Sequence, residues 1–415
     1  MNQLSMKNIS LIYFAFYISL IFGFYLGEDF ALGYIMDYEL HKKVLPIFND
    51  SIVEGFLNYE DEKVPHSPIY LLYMDIIIKF FDSEVLARFF HLHIALLLPF
   101  FLYKCLKEKF RDNLNIYLYL IPLILFFSPY FRSGAIWIDD NLFALVFLSI
   151  SIFFFIKYEN NNEKILINIF FNIFFLALAA YVRPIYSLFG LYFFTRYLLE
   201  IKSIKILFFI LLCNLILSYP AVHYVFVLGI DEWFDDYLFR KNIITVVSLS
   251  LSVLFFYFFP ILIFFFKRNQ TNLFNYKDLI LFLISLILLN LYFDYNAPYS
   301  GGIFFKTSLY LFDNLIFYYL ISSISLIFIL KFLFNGKYNK NIFFDFLLLI
   351  ILLTFEIDGR IYHEAYDPLF YFLIFTLFNN NFLHNFVTTM NVKKYSSLLL
   401  FVLSFYLMSI LKGLI

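Results

Sequence analysis

The chain has 415 residues, of which 63% are hydrophobic and only 15% charged, with a formal net charge of -1 and a mean hydropathy of +0.82. Soluble domains are about 45–50% apolar and about 25% charged, so this chain has more apolar side chain than a water-soluble interior can hide. That excludes a soluble enzyme, a secreted disulfide scaffold and a disordered protein. The small net charge offers no field for nucleic acid, and Cys105 and Cys213 form no C-x-x-C pair. The 63 Phe accompany abundant Ile, Tyr, Asn and Lys; these share AT-rich codons, so the aromatic content reads as genome bias and not as a ligand cage.

In chain order, about thirteen apolar segments count as spans, near 8–26, 86–103, 116–131, 141–157, 165–182, 185–199, 205–228, 243–266, 279–293, 310–333, 342–355, 366–378 and 395–412. No small-residue cleavage site follows the first, which reads as an anchor and not a signal peptide. With the N-terminus cytoplasmic, about 18 of the 30 Lys and Arg fall in short cytoplasmic connections, among them Lys104, Lys107, Lys109, Arg111, Lys202, Lys205, Lys267 and Arg268, as the positive-inside rule expects. Most acids fall on the other side. The expectation is one all-α polytopic domain over residues 1–415, with its C-terminus outside. Residues 27–85 form the first outer loop with interfacial helices, and smaller outer loops lie near 231–242, 294–309 and 356–367. Cytoplasmic loops this short leave no domain for a soluble nucleotide.

Four outer features could carry chemistry. After Gly27-Glu28-Asp29, the first loop continues Tyr34-Ile35-Met36-Asp37-Tyr38-Glu39-Leu40-His41. A carboxylate there, just past a helix end, suits a general base toward an acceptor; a solvated acidic loop is the alternative. Val64-Pro65-His66-Ser67-Pro68-Ile69-Tyr70 reads as a rigid bend into an interfacial helix. Next, Ser128-Pro129-Tyr130-Phe131-Arg132 leads to Trp137-Ile138-Asp139-Asp140-Asn141, where two acids open a transmembrane helix. Capping and the helix dipole explain one of them, and the second, at the edge of hydrocarbon, points to function. Third, Arg183-Pro184 lies in a short turn between helices; a guanidinium fork suits phosphate oxygens, with a snorkelling anchor as the alternative. Fourth, Glu356-Ile357-Asp358-Gly359-Arg360-Ile361-Tyr362-His363-Glu364, with Tyr366-Asp367-Pro368, is either a solvated loop or a grip for a phosphate or sugar. His91 and His93, two apart, point to different helix faces. Glu60-Asp61-Glu62 imitates a D-x-D metal motif but lacks a Rossmann pattern beside it, and no P-loop, G-x-G-x-x-G or G-x-S-x-G occurs.

Taken in order, these pieces resemble the GT-C superfamily of integral-membrane glycosyltransferases, of the protein O-mannosyltransferase and aminoarabinose transferase type. That group has an Asp, often followed by Glu, after the first helix, then a Pro-Pro-Leu-Tyr-like stretch; Asp37-Tyr38-Glu39 and Pro65-His66-Ser67-Pro68-Ile69-Tyr70 stand in those places. Asp140 matches its second Asp at the fourth helix, Arg183-Pro184 its basic residue before Pro, and Arg360-Ile361-Tyr362 its late Arg-Tyr element. The match covers residues 1–200 and extends further only by topology. Asp-Tyr-Glu for Asp-Glu, Arg-Ile-Tyr for Arg-Tyr and the split proline pair are departures. The first-loop pattern is also similar to the eukaryotic glucosyltransferase that completes the dolichol-linked oligosaccharide. The resemblance implies an inverting transfer from a polyprenyl-phosphate-linked sugar to a lipid, glycan or protein acceptor on the outer face. It makes Asp37 the base and Asp140 a second catalytic acid. Glu39, His41, Asp139, Arg183, Arg360, Tyr362 and His363 become substrate contacts in one shared cavity. No nucleotide or other cofactor is required, and assistance by a divalent ion stays open. The expected place is a bacterial inner membrane, or the ER membrane in a eukaryote. A glycan polymerase or ligase, and a transporter or flippase of lipid-linked glycan, are the competing readings.

Overall fold

The computed structural model describes residues 6–49, 51–57, 59, 67–113, 115–160, 164–227, 242–268, 275–296, 300–334, 340–356 and 360–414. Glu60-Asp61-Glu62, Val64-Pro65-His66, Ile357-Asp358-Gly359 and all but one residue of the 231–242 loop lie outside them. Every regular element among the described residues is a helix. The chain forms two compact units, Met1–Ile230 with Val387–Ile415, and Asp231–Phe386.

The first unit begins with α1 (Met6–Leu26), the short α2 (Glu39–Val44) and α3 (Ile52–Leu57), and α4 (Pro68–Phe81). Then come α5 (Glu84–Ala95), running on into α6 (Leu97–Lys109), α7 (Pro129–Trp137), α8 (Asp140–Asn160), α9 (Ile165–Val182), α10 (Leu188–Glu200) and α11 (Ile204–Val227). The second unit holds α12 (Ile243–Arg268), α13 (Tyr276–Tyr292), α14 (Gly302–Phe312), α15 (Ile316–Leu333), α16 (Lys340–Leu353) and α17 (Leu369–Thr376). The chain returns through α18 (Asn381–Thr388) to α19 (Val392–Leu414).

Among the described residues eight helices, with α5 and α6 taken as one, are long and apolar enough to cross a membrane, or nine if one bent pair counts as a single span. The chain is therefore an integral, multi-pass membrane protein. The sequence expectation of about thirteen counted apolar residues, whereas a span also needs unbroken helix. The segment 116–131 is a 3-10 run, Ile116–Phe127, that meets α7 at a 67° bend. Pro122 opens the second 3-10 helix of that run, Ile121–Phe127, and Pro129 opens α7, positions where a missing N–H is tolerated. The segment 366–378 contains only the eight residues of α17, about 12 Å of helix at 1.5 Å per residue. The segments 185–199, 279–293 and 342–355 carry helices of 13, 17 and 14 residues.

Two helices are mostly enclosed, α8 in the first unit and α12 in the second, while α1, α11 and α19 are bare along much of their length. Their exposed Leu, Ile and Phe side chains are what a helix facing lipid presents. Within the first unit, α8 and α9 form a hairpin closed by polar side chains at mid-height. Asn172 donates to the Ser151 carbonyl at 3.0 Å, the Ser151 hydroxyl donates back to the Asn172 carbonyl at 2.8 Å, and Tyr197 donates to Asn172 Oδ1 at 2.9 Å. Phe154 stacks on Phe175 beside them.

The hairpin sets the polarity of this unit. At one end Asn160 donates to the Glu108 carbonyl and Arg196 pairs with Glu159 and Glu200; at the other lie Asp140 and Arg183. Near that second end, just past α1, a buried ion pair holds α7. Arg132 donates through Nε to Glu28 Oε1 at 2.6 Å and through Nη2 to Oε2 at 2.5 Å. Tyr406 of α19 donates to Oε1 as well, at 3.2 Å. Bidentate geometry with added donors is what a desolvated pair needs to persist.

Candidate active site

Four candidate residues of the first unit, Asp37, His41, Asp139 and Asp140, lie around one phenol. Tyr70, in the first turn of α4, is fully buried; its hydroxyl donates to the Ile138 carbonyl at 2.7 Å and lies 3.2 Å from His41 Nδ1. The phenol has one proton, and a carbonyl has none to give. The Tyr70 oxygen therefore accepts from His41, and the network assigns a proton to Nδ1. Burial, followed by the charges of Asp140, Asp139 and Asp37, pushes the Tyr70 phenol well above its usual range. All three carboxylates thus act on the same hydroxyl.

The local backbone explains who faces it. A π-turn, Tyr34–Tyr38, runs into α2. Asp37 and His41, four residues apart, share one helix face. Glu39 points elsewhere: it accepts from the Tyr34 hydroxyl and lies near Lys42, which itself pairs with Glu84. Asp29, just past α1, accepts from the Tyr34 N–H and the Ser133 hydroxyl, both at 3.1 Å. Burial nevertheless raises its carboxyl above the ordinary range.

The turn between α7 and α8 is strained. Ile138 has φ 52° and ψ 94°, a left-handed backbone that a β-branched side chain adopts at a cost of about 1–3 kcal/mol. Its side chain is wholly enclosed and its carbonyl is held by Tyr70. The next three polar residues have three separate jobs. Asp139 caps α8, accepting from the Leu142 N–H at 2.6 Å. Asp140 is buried and pairs with Arg183, Oδ1 to Nη1 at 3.6 Å. Asn141 Oδ1 accepts from the Tyr186 hydroxyl at 2.7 Å. Pro184 pushes the residue before it out of the helix, and Arg183 is extended, φ -138° and ψ 105°.

The sequence reading did not single out Tyr186 or Arg88, and it took Ser67 and Tyr70 for parts of a bend. Arg88 donates to the Ile136 carbonyl at 2.9 Å and lies 3.4 Å above the Trp137 ring centroid. The available signals were a charge inside the apolar run of α5 and a Ser-x-x-Tyr spacing at a helix start. His91 and His93 do point apart: His91 contacts Tyr73 and the Gly134 carbonyl, His93 contacts Tyr17.

Arg360, Tyr362 and His363 belong to the second unit. Arg360 is exposed and Tyr362 half-buried. His363 Nε2 accepts from the Ile303 N–H at 3.0 Å, which leaves Nδ1 to donate to Tyr257, also at 3.0 Å. Burial, with Lys306 nearby, lowers His363 to about 3, so the ring is neutral. Gly301 donates to the Ile361 carbonyl at 2.8 Å, and Gly301 and Gly302 both have positive φ, 91° and 79°. A Cβ on Gly302 would meet Val253 Cγ2 at 2.6 Å, so only glycine fits.

Among the described residues no three His, Cys, Asp or Glu side chains group as metal ligands. Compared with family models, curated proteins and solved structures, the chain matches none.

Proposed function

We propose that the first unit is the catalytic unit of a membrane glycosyltransferase that takes its sugar from a polyprenyl phosphate. The observation that carries this reading is the convergence of Asp37, Asp140 and Arg183 at one end of an apolar helix bundle. A sugar on a lipid phosphate needs a base for the acceptor and a cation for the leaving group, at a surface reached from the bilayer. The distribution of Lys and Arg supports an outer-face site, where nucleotide sugars are absent and a flipped lipid-linked donor is the simplest source.

In the step proposed, an acceptor hydroxyl oxygen attacks the anomeric carbon as its proton passes to the Asp37 carboxylate. The bond from that carbon to the phosphate oxygen breaks with inversion, and the electron pair leaves with the phosphate. Arg183 neutralises the departing oxygen, where preorganised charge contributes most, and Asp140 orients Arg183. The acceptor is a lipid, glycan or protein.

The test is transfer by the purified full chain in lipid nanodiscs, with polyprenyl-phosphate sugar as donor and transfer and donor affinity measured separately. Transfer by the wild type that Asp37→Asn abolishes supports the reading. A protein that moves lipid-linked glycan between leaflets and never transfers sugar overturns it in favour of a transporter.

A further inference from the structure

The Pro-led turn that opens α4 does more than bend the chain. Ser67 caps the helix, accepting from the Ile69 N–H at 3.3 Å, and its hydroxyl donates to the Tyr181 carbonyl. Tyr181 lies two residues before Arg183. Three residues further on, Tyr70 donates to the Ile138 carbonyl at 2.7 Å, two residues before Asp140. The N-cap Ser67 and Tyr70 in the first turn of α4 thus together grip both segments that carry the Asp140–Arg183 pair. The same phenol receives the His41 Nδ1 proton and so holds a third segment, four residues past Asp37.

One gripped segment is strained, and the other leaves its helix at a proline. Arg183 is extended between the end of α9 and Pro184, and Ile138 sits where an isoleucine does not rest by choice. A hydrogen bond to each nearby carbonyl converts these two exits from helix into fixed points. We infer that Ser67 and Tyr70 are positioning residues for the proposed transfer: they touch no reacting atom and set the spacing of the carboxylates and the guanidinium through the Tyr181 and Ile138 carbonyls. The kinetic half of this inference rests on the glycosyltransferase reading; the geometric half stands without it.

The test uses the full chain in lipid nanodiscs. The ring 15N signals of His41, assigned by their loss in His41→Asn, should show the proton on Nδ1 in the wild type. Tyr70→Phe keeps the ring and deletes the hydroxyl, and the His41 proton should then shift toward Nε2. In the transfer assay Tyr70→Phe should lower kcat about 10–100-fold, the range expected when reacting groups drift by about an ångström, while KM for polyprenyl-phosphate sugar stays within about 2-fold. Ser67→Ala should act in the same direction, and Ser67→Thr, which retains cap and donor, should restore the rate. A wild-type His41 proton on Nε2, or one unmoved by Tyr70→Phe, overturns the grip. Unchanged kcat in both Tyr70→Phe and Ser67→Ala overturns the positioning role. A wild type that transfers no sugar overturns the glycosyltransferase reading and the kinetic half with it, and the His41 signal still decides the geometry.

Discussion

Two polar segments looked alike in the sequence and are built differently. Residues 34–41 of the first unit and 360–367 of the second each combine acids, tyrosines and a histidine next to a helix. In the second, His363 spends both ring nitrogens on Ile303 and Tyr257, and the backbone is pinned to Gly301. In the first, His41 meets Tyr70, a phenol that also holds the strained Ile138 turn beside the Asp140–Arg183 pair. The composition of a loop therefore says little about chemistry. What separates the two is whether the polar groups complete a fold or hold one another in place.

The contrast is sharpest at Asp37. Asp37→Asn retains shape and loses proton acceptance, so transfer should fall about 10²–10⁴-fold with donor affinity intact. Unchanged turnover would move the base to Glu39 or Asp140. Arg183→Gln should weaken donor binding about 10–100-fold, since a hydrogen bond to a charged group contributes about 1.5–3 kcal/mol; titration with the lipid-phosphate donor measures it. On the other side of the comparison, His363→Phe strands the Ile303 N–H and the Tyr257 hydroxyl. It should cost about 1–3 kcal/mol of stability, seen as a lower thermal midpoint.

The same histidine predicts a pH dependence. Its folded value, about 3, lies below the ordinary 6.5, so the unfolded chain binds the extra proton first. Stability from this group is complete above about 6.5 and is lost as pH falls toward 3. Denaturation between these limits should be less pH-dependent in His363→Gln than in the wild type. The smallest expected effect separates the two adjacent acids. Asp139→Ser replaces one good cap by another and should change stability by a few tenths of a kcal/mol, against about 1 kcal/mol for Asp139→Ala. A large loss of transfer in Asp139→Ser would mean that its carboxylate does more than cap.

Much of the bundle was legible because hydropathy is a direct record of the solvent: α1, α8, α9, α12 and α19 all coincide with long apolar runs. The count of thirteen is not confirmed where helix continuity matters more than apolar length, as at the 3-10 run before α7 and the eight residues of α17. At the site, a cap was expected to explain one of Asp139 and Asp140, and it explains Asp139. Alternation of loops predicted that Asp140 and Arg183 share an end, and they do. The roles of Ser67 and Tyr70 were not legible, because the carbonyls they hold belong to residues 114 and 68 positions away. Nor does any sequence pattern mark Ile138 as left-handed.

The buried pair of Glu28 and Arg132 carries a consequence for biosynthesis. Its partners are 104 residues apart, and the Tyr406 hydroxyl on Glu28 arrives 378 residues after it. A lone carboxylate or guanidinium is expensive to bring into hydrocarbon. The partner that neutralises Glu28 is therefore made well after α1, and the cluster is complete only once α19 exists.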